Sequence, residues 1–362
     1  MTKNHYLATI PQIIKDAKAG KMFILVDDEK RENEGDLVIP AQFCDDEAVN
    51  FMSKYGRGLI CLALSESRVE ELELPLMSMN NNSRHKTAFT VSIEARSGIS
   101  TGISAFDRAK TIADAINPKK GRFDLVSPGH IFPLRARNGG VLVRAGHTEA
   151  SVDIARMAKL NESGVICEIM NEDGSMARLP DLIKFAKKHK LKIATIADLI
   201  EYRRKNEKLI AKVLERNFTS KTAGEFKMKI YRSLIDNIEH IVLQKGKINA
   251  SKPTMVRMHH LNILSDCLDD SKNKKFNLIE KSLRKISKNK SGVLVLIRNP
   301  QEKISDLLNE ENKKETTLRN YGIGAQILVD LGIKKIDLIS SSKKTVVGLD
   351  AYNLKIINYI NI

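Results

Sequence analysis

The sequence predicts two α/β domains: a layered α/β/α domain over residues 1–205 and a smaller α+β domain over residues 206–362. Three observations lead there. Short apolar, strand-like runs alternate with helix-like segments through the first half. The chain's 362 residues exceed what a single core usually serves. A charged stretch between Tyr202 and Gly224, closing on the polar run TSKTAG, reads as a linker, and alternation resumes beyond it.

The elements follow in order. Residues 22–26 and 37–39 are short buried strands separated by a polar loop. Residues 45–55 form a helix, because Asp45, Asp46 and Glu47 suit the positive end of its dipole. Residues 59–64 and 89–93 are strands. Residues 104–116 are a helix, with Ser104 and Asp107 spaced as in a capping box and Pro118 just past its end. A strand at 141–143 leads through RAGHT (144–148) into a helix reaching Leu160. A strand at 165–170, a turn at Asp173 and Gly174, a helix at 181–189, a strand at 191–194 and a helix at 196–204 complete the domain. In the second half Phe226, Met228 and Ile230 alternate with Lys227, Lys229 and Tyr231, a half-buried strand. Phe276, Ile279, Leu283 and Ile286 recur at helical spacing, and residues 293–297 and 336–339 are strands.

Composition narrows the functional classes. Hydrophobic residues at 42% and charged residues at 29% are ordinary for a globular chain. The absence of Trp and an aromatic content of 5% argue against a stacking platform for bases or sugars. Residues 1–20 contain no signal-like apolar run, and the longest apolar runs fall far short of the ~20 residues of a membrane span. A cytoplasmic protein with no membrane partner is expected. Cys44, Cys61, Cys167 and Cys267 are widely spaced with no C-x-x-C or C-x-C pair, which suits partly buried thiols in a reducing compartment. Most of the +16 net charge falls after Lys205. It admits nucleic-acid binding, but a solvated lysine-rich face is the commoner explanation, and nucleic acid is not an expected partner.

Four local patterns could carry chemistry. In Asp27–Asp36 (DDEKRENEGD) six carboxylates fall within ten residues. Such a run is either a solvated acidic turn or a hard-oxygen site for Mg²⁺ or Mn²⁺, and its place between two apolar strands favours the latter. In residues 144–149 (RAGHTE), Arg144, Gly146 and Thr148 at a helix start suit a phosphate, with His147 available to a metal; an ordinary helix cap is the alternative. His130 in a turn (SPGH) is either an acid–base group or a structural histidine. Glu168 interrupts the apolar run GVICEIM and needs a function or a partner, for which Arg178 is a candidate.

Taken together, these segments resemble the 3,4-dihydroxy-2-butanone 4-phosphate synthase family, which converts ribulose 5-phosphate in riboflavin biosynthesis. The resembling stretches are residues 27–36, 83–95 (SRHKTAFTVSIEA), 98–107, 127–135, 139–153 and 164–178, in family order across the first half. The resemblance implies that Glu32 and His147 ligate a pair of Mg²⁺ (or Mn²⁺) ions. It places Arg31, Glu32, Asp36, Arg144, Ala145, Gly146, His147, Thr148 and Glu168 around the substrate and its phosphate, and makes His130 and Glu168 essential to catalysis. It also implies a homodimer with sites near the subunit interface. Two departures stand out: Lys30 where many relatives carry an acid, and Lys86 where glycine is usual.

The second half resembles GTP cyclohydrolase II through VRMH (256–259), YGIGAQIL (321–328) and DLGI (330–333). That family holds zinc with three cysteines. Here Asn262 occupies the first cysteine position, residues 273–275 are Asn-Lys-Lys, and Cys267 is the domain's only cysteine. Residues 298–302 and 340–343 also depart from the family's runs. The expectation is a degenerate domain without zinc behind a monofunctional synthase. The alternatives are a bifunctional enzyme retaining cyclohydrolase activity, with His259, His260 and Cys267 as the remaining candidate ligands, or an RNA- or protein-binding tail.

Overall fold

The computed structural model describes residues 6–29, 31–78, 80–267, 277–299, 314–340 and 352–362, with backbone alone over 314–321. Lys30 and residues 273–276, 300–302 and 341–343, read above from sequence, lie outside the described residues. The chain forms two compact units, Met1–Arg203 and Arg204–Ile362.

In the first unit seven strands make one mixed sheet: β1 (Phe23–Val26), β2 (Gly35–Pro40), β3 (Cys61–Leu64), β4 (Ile93–Ala95), β5 (Leu125–Arg135), β6 (Ser163–Glu168) and β7 (Ile193–Thr195). Their order is β4-β5-β3-β6-β2-β1-β7. The unit's described α-helices are α1 (Ile10–Lys18), α2 (Asp46–Phe51), α3 (Glu66–Glu71), α4 (Ala105–Ile116), α5 (His147–Met157), α6 (Leu179–His189) and α7 (Ile196–Asn206). β1 shows why the domain is layered. Ile24 and Val26 join a core with Val49, Ile112 and Leu182 from α2, α4 and α6. Phe23 and Leu25 point the other way, into a core with Ile13, Ile154 and Leu199 from α1, α5 and α7. A strand buried on both faces reads as continuously apolar, as FILV does.

Several sequence expectations shift. Asp45 caps α2, its carboxylate accepting the Ala48 N–H at 2.9 Å, but a π-helical turn, Met52–Gly56, replaces the end of that helix. Ser104 caps α4 as its spacing predicts, whereas Asp107 does not close the box. Its carboxylate turns back to Ser100 and to the Gly102 N–H, folding that loop against the helix. The strand expected at 89–93 begins only at its last residue, as β4. Residues 141–143 are not a strand: Gly139 and Gly140 both have positive φ, 87° and 61°, and the chain winds into a 3₁₀ turn, Gly140–Leu142. The SPGH segment is no turn but part of β5, with a cis Ser127–Pro128 bond.

The second unit is built on a sheet of β8 (Ile210–Ser220), β9 (Gly224–Ser233), β10 (Glu239–Lys245), β11 (Thr254–His260), β12 (Gly292–Ile297), β13 (Lys335–Ile339) and β14 (Lys355–Ile360). The order is β14-β13-β11-β12-β10-β9-β8. Its described helices are α8 (Ile263–Cys267), α9 (Leu278–Ser287) and α10 (Lys314–Asp330). The expected linker proves to be secondary structure: α7 runs to Asn206, and β8 pairs with β9 from Ile210 to Ser220. β8 is an edge strand exposed along most of its length, so it lacks the apolar alternation that marks half-buried strands. Among the described residues, no helix is long and apolar enough to cross a membrane.

Candidate active site

β1 and β2 are antiparallel neighbours, so the acidic run becomes the loop joining them at one end of the sheet. Asp27 organises that loop from within. Its buried carboxylate accepts Arg31 Nη1 at 2.6 Å and the N–H groups of Glu32 and Glu34 at 3.4 Å each. Arg31 Nη1 also donates to Glu32 Oε2 at 2.6 Å. Arg178 donates to the Glu32 carbonyl at 2.8 Å and to the Asn33 carbonyl. The alternative reading of Glu168 as the ion-pair partner of Arg178 is therefore not what forms; Arg178 clamps the loop backbone instead.

Asp36 lies directly opposite Glu168 in the β2–β6 register, so both carboxylates emerge on the same face, beneath the start of α5. Gly146 is the N-cap of α5 and His147 its first residue. The His147 ring donates from Nε2 to the Leu25 carbonyl at 3.2 Å. That bond leaves Nδ1 facing Asp36 Oδ1 at 3.7 Å and Glu32 Oε2 at 4.0 Å. Ligand atoms of Asp27, Glu32 and His147 all lie within 4.8 Å of one another. Glu168 is fixed from β3's approach, its Oε2 accepting the Leu59 N–H at 2.8 Å. The chain reaches Leu59 through Arg57, at φ 69°, and Gly58, where a Cβ would come within 2.5 Å of Glu168 Oε2.

Crowding of carboxylates sets the electrostatics. Burial, then Glu168, Glu32 and the other loop acids, holds Asp36 well above the ordinary carboxylate range. Burial raises Glu168, with the Leu59 N–H opposing and Glu32 adding to the rise. Burial and Glu32 raise Glu34, against Arg178. Burial pushes His147 down to about 4, although Asp27 and Glu32 oppose it, so a neutral imidazole is present at pH 7. Asp36 Oδ1 is buried with no hydrogen-bond partner. Clustered acids, an orphaned carboxylate oxygen and a neutral nitrogen make a donor set that fits a hard divalent cation.

Beside this centre, Arg144 is braced rather than free. It pairs with buried Glu149 at 2.7 Å and donates to Thr87 Oγ1 at 2.8 Å and to the His85 carbonyl. These bonds tie residues 83–87 to the start of α5, and His85 Nε2 stands 3.9 Å from Glu32 Oε1. Lys86, where glycine was expected, adopts φ 50°. The loop thus keeps a left-handed conformation despite the side chain, at a cost of about 1–2 kcal/mol. Ala145 is exposed and Thr148 buried in the first turn of α5. His130 is the one candidate set apart. It sits on β5, two positions from β6 in the sheet, with its ring bonded to Glu94. Sequence reasoning singled out Glu32, Asp36, His147 and Glu168, which converge. It missed Asp27 as the loop's organiser, Arg178 as its clamp and the Leu59 amide; the close pair Gly56 and Gly58 was the available signal for the last.

Fold and site define a three-layer α/β enzyme domain with a carboxylate–histidine centre at the ends of inner strands of the sheet. The family model for 3,4-dihydroxy-2-butanone 4-phosphate synthase matches residues 11–202, and that for GTP cyclohydrolase II matches residues 211–361. A 3,4-dihydroxy-2-butanone 4-phosphate synthase of Photobacterium phosphoreum is 47% identical, covering 98% of this chain and 99% of its own. The riboflavin biosynthesis protein RibBA of Aquifex aeolicus is 46% identical over 98% of this chain and 92% of its own. Among solved structures, RibBX of A. baumannii, described as a two-domain 3,4-dihydroxy-2-butanone 4-phosphate synthase, superposes with a TM-score of 0.79 at 39% identity, covering 98% and 99% of the two chains. A synthase solved with two magnesium ions matches at 38% identity with a TM-score of 0.53, over 55% of this chain and 98% of its own. The chain belongs to the 3,4-dihydroxy-2-butanone 4-phosphate synthase family and converts ribulose 5-phosphate to 3,4-dihydroxy-2-butanone 4-phosphate and formate in riboflavin biosynthesis.

Proposed function

We propose that the first unit catalyses this reaction with Mg²⁺ or Mn²⁺, two ions per site, held by Glu32 and His147 with Asp27 beside them. The observation that carries it is the convergence of Asp27, Glu32, Asp36, Glu168 and His147 Nδ1 at the ends of strands β1, β2 and β6. A bound divalent cation would acidify the sugar's adjacent hydroxyls and stabilise the enediolate charge. The remaining work falls to side chains. Arg144, Ala145, Gly146 and Thr148 receive the phosphate at the N-terminus of α5, and Arg31 and Asp36 orient the sugar. Glu168, held by the Leu59 N–H and raised by burial, exchanges a proton with the substrate. His130 acts as a second acid–base group. The test is direct: purified protein with ribulose 5-phosphate and Mg²⁺ releases formate, and chelation stops it.

The same unit supports a homodimer. Ile103, Phe106, Phe123 and Val126 are exposed large apolar side chains, and Val126 pairs in register with Glu94, the residue that holds His130. A second subunit covering this face would bring His130 towards a site it does not reach within its own chain. Because Arg144 offers a two-pronged donor, Arg144→Lys is expected to raise KM for ribulose 5-phosphate about tenfold or more, with a smaller change in kcat. An unchanged KM would remove Arg144 from the phosphate site.

For the second unit we propose a role without GTP turnover. Asn262, at the lost cysteine position, has become a helix cap: its Oδ1 accepts the N–H groups of Leu264 and Ser265 at 2.9 and 3.3 Å. His259 is buried and bonded to Asp266 at 2.8 Å, whereas His260, next along β11, is exposed on the opposite face. The two histidines therefore cannot share one ion with Cys267. The match to the cyclohydrolase family favours the bifunctional alternative, and one experiment decides. GTP is expected to survive prolonged incubation with protein carrying no stoichiometric zinc, while ribulose 5-phosphate is consumed. Formate release from GTP would restore the second activity. A cytoplasmic location fits both readings.

A further inference from the structure

β4 and β5 pair irregularly: Ile93 opposes Ile131, but the next residue, Glu94, opposes Val126. Residues 127–130 therefore bulge from the strand with no partner on β4, and this bulge carries His130. It is pinned at its base. The Gly129 N–H donates to Ser92 Oγ at 3.1 Å, and a Cβ on Gly129 would fall 2.1 Å from the Ile93 carbonyl oxygen. Beyond the pin, His130 Nδ1 meets Glu94 Oε1 at 2.8 Å. The Glu94 side chain is 12% exposed and the histidine's 43%, so the carboxylate is the buried partner and the imidazole the presented one.

The fold reserves space for this carboxylate. Gly102, at φ 91°, lies over it so closely that a Cβ there would fall 1.4 Å from Glu94 Oε1. Asp107 holds that glycine in place, accepting the Gly102 N–H at 3.0 Å and the Ser100 hydroxyl at 2.7 Å. Two glycines and an aspartate thus converge on one contact that packing of the apolar core does not require.

From this geometry we infer that Glu94 is a positioning residue for His130, the two forming a carboxylate–imidazole dyad. A carboxylate only accepts, so Nδ1 carries the proton and donates it to Glu94. In the neutral ring Nε2 then holds the lone pair and points away from Glu94, so it is the nitrogen through which the dyad takes a proton and returns it. The inference rests on the role proposed above for His130.

The test uses the full chain, Mg²⁺ and ribulose 5-phosphate, with H130A, E94Q, E94A and E94A/H130A compared. Glu94→Ala is expected to lower kcat about 10- to 100-fold with little change in KM, a share of the ~10²–10⁴-fold that a positioned acid–base group contributes. Glu94→Gln, whose amide oxygen still accepts from Nδ1, is expected to recover part of the loss. In the H130A background, Glu94→Ala is expected to cost nothing further, because the pair acts as a unit. Long-range ¹H–¹⁵N correlation spectra are expected to show the Nδ1–H tautomer of His130 in wild type and a mixture in E94A. An equal loss from Glu94→Ala in both backgrounds, or an Nε2–H tautomer in wild type, overturns the inference while leaving His130's role intact. Wild-type turnover by H130A instead overturns that role, and the dyad with it.

Discussion

Glu32→Gln and His147→Ala are each expected to reduce formate release from ribulose 5-phosphate by at least about a thousand-fold, roughly 4 kcal/mol of lost transition-state stabilisation. The two substitutions remove different things. Glu32→Gln keeps the shape of a side chain held by Arg31 but deletes the charge that a hard cation needs. Deleting the His147 ring removes Nδ1 and also frees the Leu25 carbonyl to which Nε2 donates. Both should fold. Glu32 is partly exposed and its backbone remains clamped by Arg178, while α5 keeps its Gly146 cap. Isothermal titration with Mg²⁺ separates the effects: weakened cation binding together with lost turnover supports both residues as ligands. Turnover within tenfold of wild type in either variant, with Mg²⁺ buffered by a chelator, would remove that residue from the centre.

How legible this centre was in the sequence depended on how each residue is recruited. His147 and Glu168 stood out because histidine at a helix start, or charge interrupting an apolar strand, is visible one residue at a time; Glu32 and Asp36 were visible only as members of an acidic run, from which the family resemblance singled them out. The α/β alternation was likewise legible locally: strands buried on both faces leave unbroken apolar runs. What failed involved backbone conformation or distant partners. Tandem positive-φ glycines turned an apolar triplet, Val141 to Val143, away from the sheet, and nothing in hydropathy distinguishes that from a buried strand. Arg178 was weighed only as an alternative partner for Glu168, ten residues away, yet it reaches carbonyls 145 and 146 residues away. The β8 edge strand looked like linker because an exposed edge needs no apolar face. Cys267, expected to be partly buried with the others, is exposed.

The same Gly139–Leu142 turn carries the second large effect, this time on stability. Asp153 lies in α5 with a side chain 5% exposed, and its Oδ2 accepts Arg203 Nη1 at 2.6 Å and the Val141 N–H at 2.9 Å. Arg203 donates as well to the Gly139 carbonyl at 2.8 Å. Gly140 is pressed onto the carboxylate, a Cβ there falling 2.2 Å from Asp153 Oδ1. Burial raises the Asp153 carboxyl above its ordinary range even though Arg203 and the Val141 N–H oppose the shift. Desolvation therefore outweighs pairing at this carboxylate even while both partners are present. Removing one partner has a cost: Asp153→Ala takes the carboxylate from a buried guanidinium, which keeps the Gly139 carbonyl, and from the Val141 N–H at once. The expected loss is about 3–5 kcal/mol, read as a lower urea midpoint for the far-UV transition. The pair itself, by contrast, contributes little net, since two buried charges cost nearly what their attraction returns. The double variant Asp153→Leu with Arg203→Met should accordingly unfold closer to wild type than Asp153→Ala does. It should nevertheless lose synthase activity, because the turn preceding Arg144 and His147 loses the hydrogen bond that shapes it. A double variant no more stable than the single one would mean that the turn geometry, and not the unpaired charge, carries the stability.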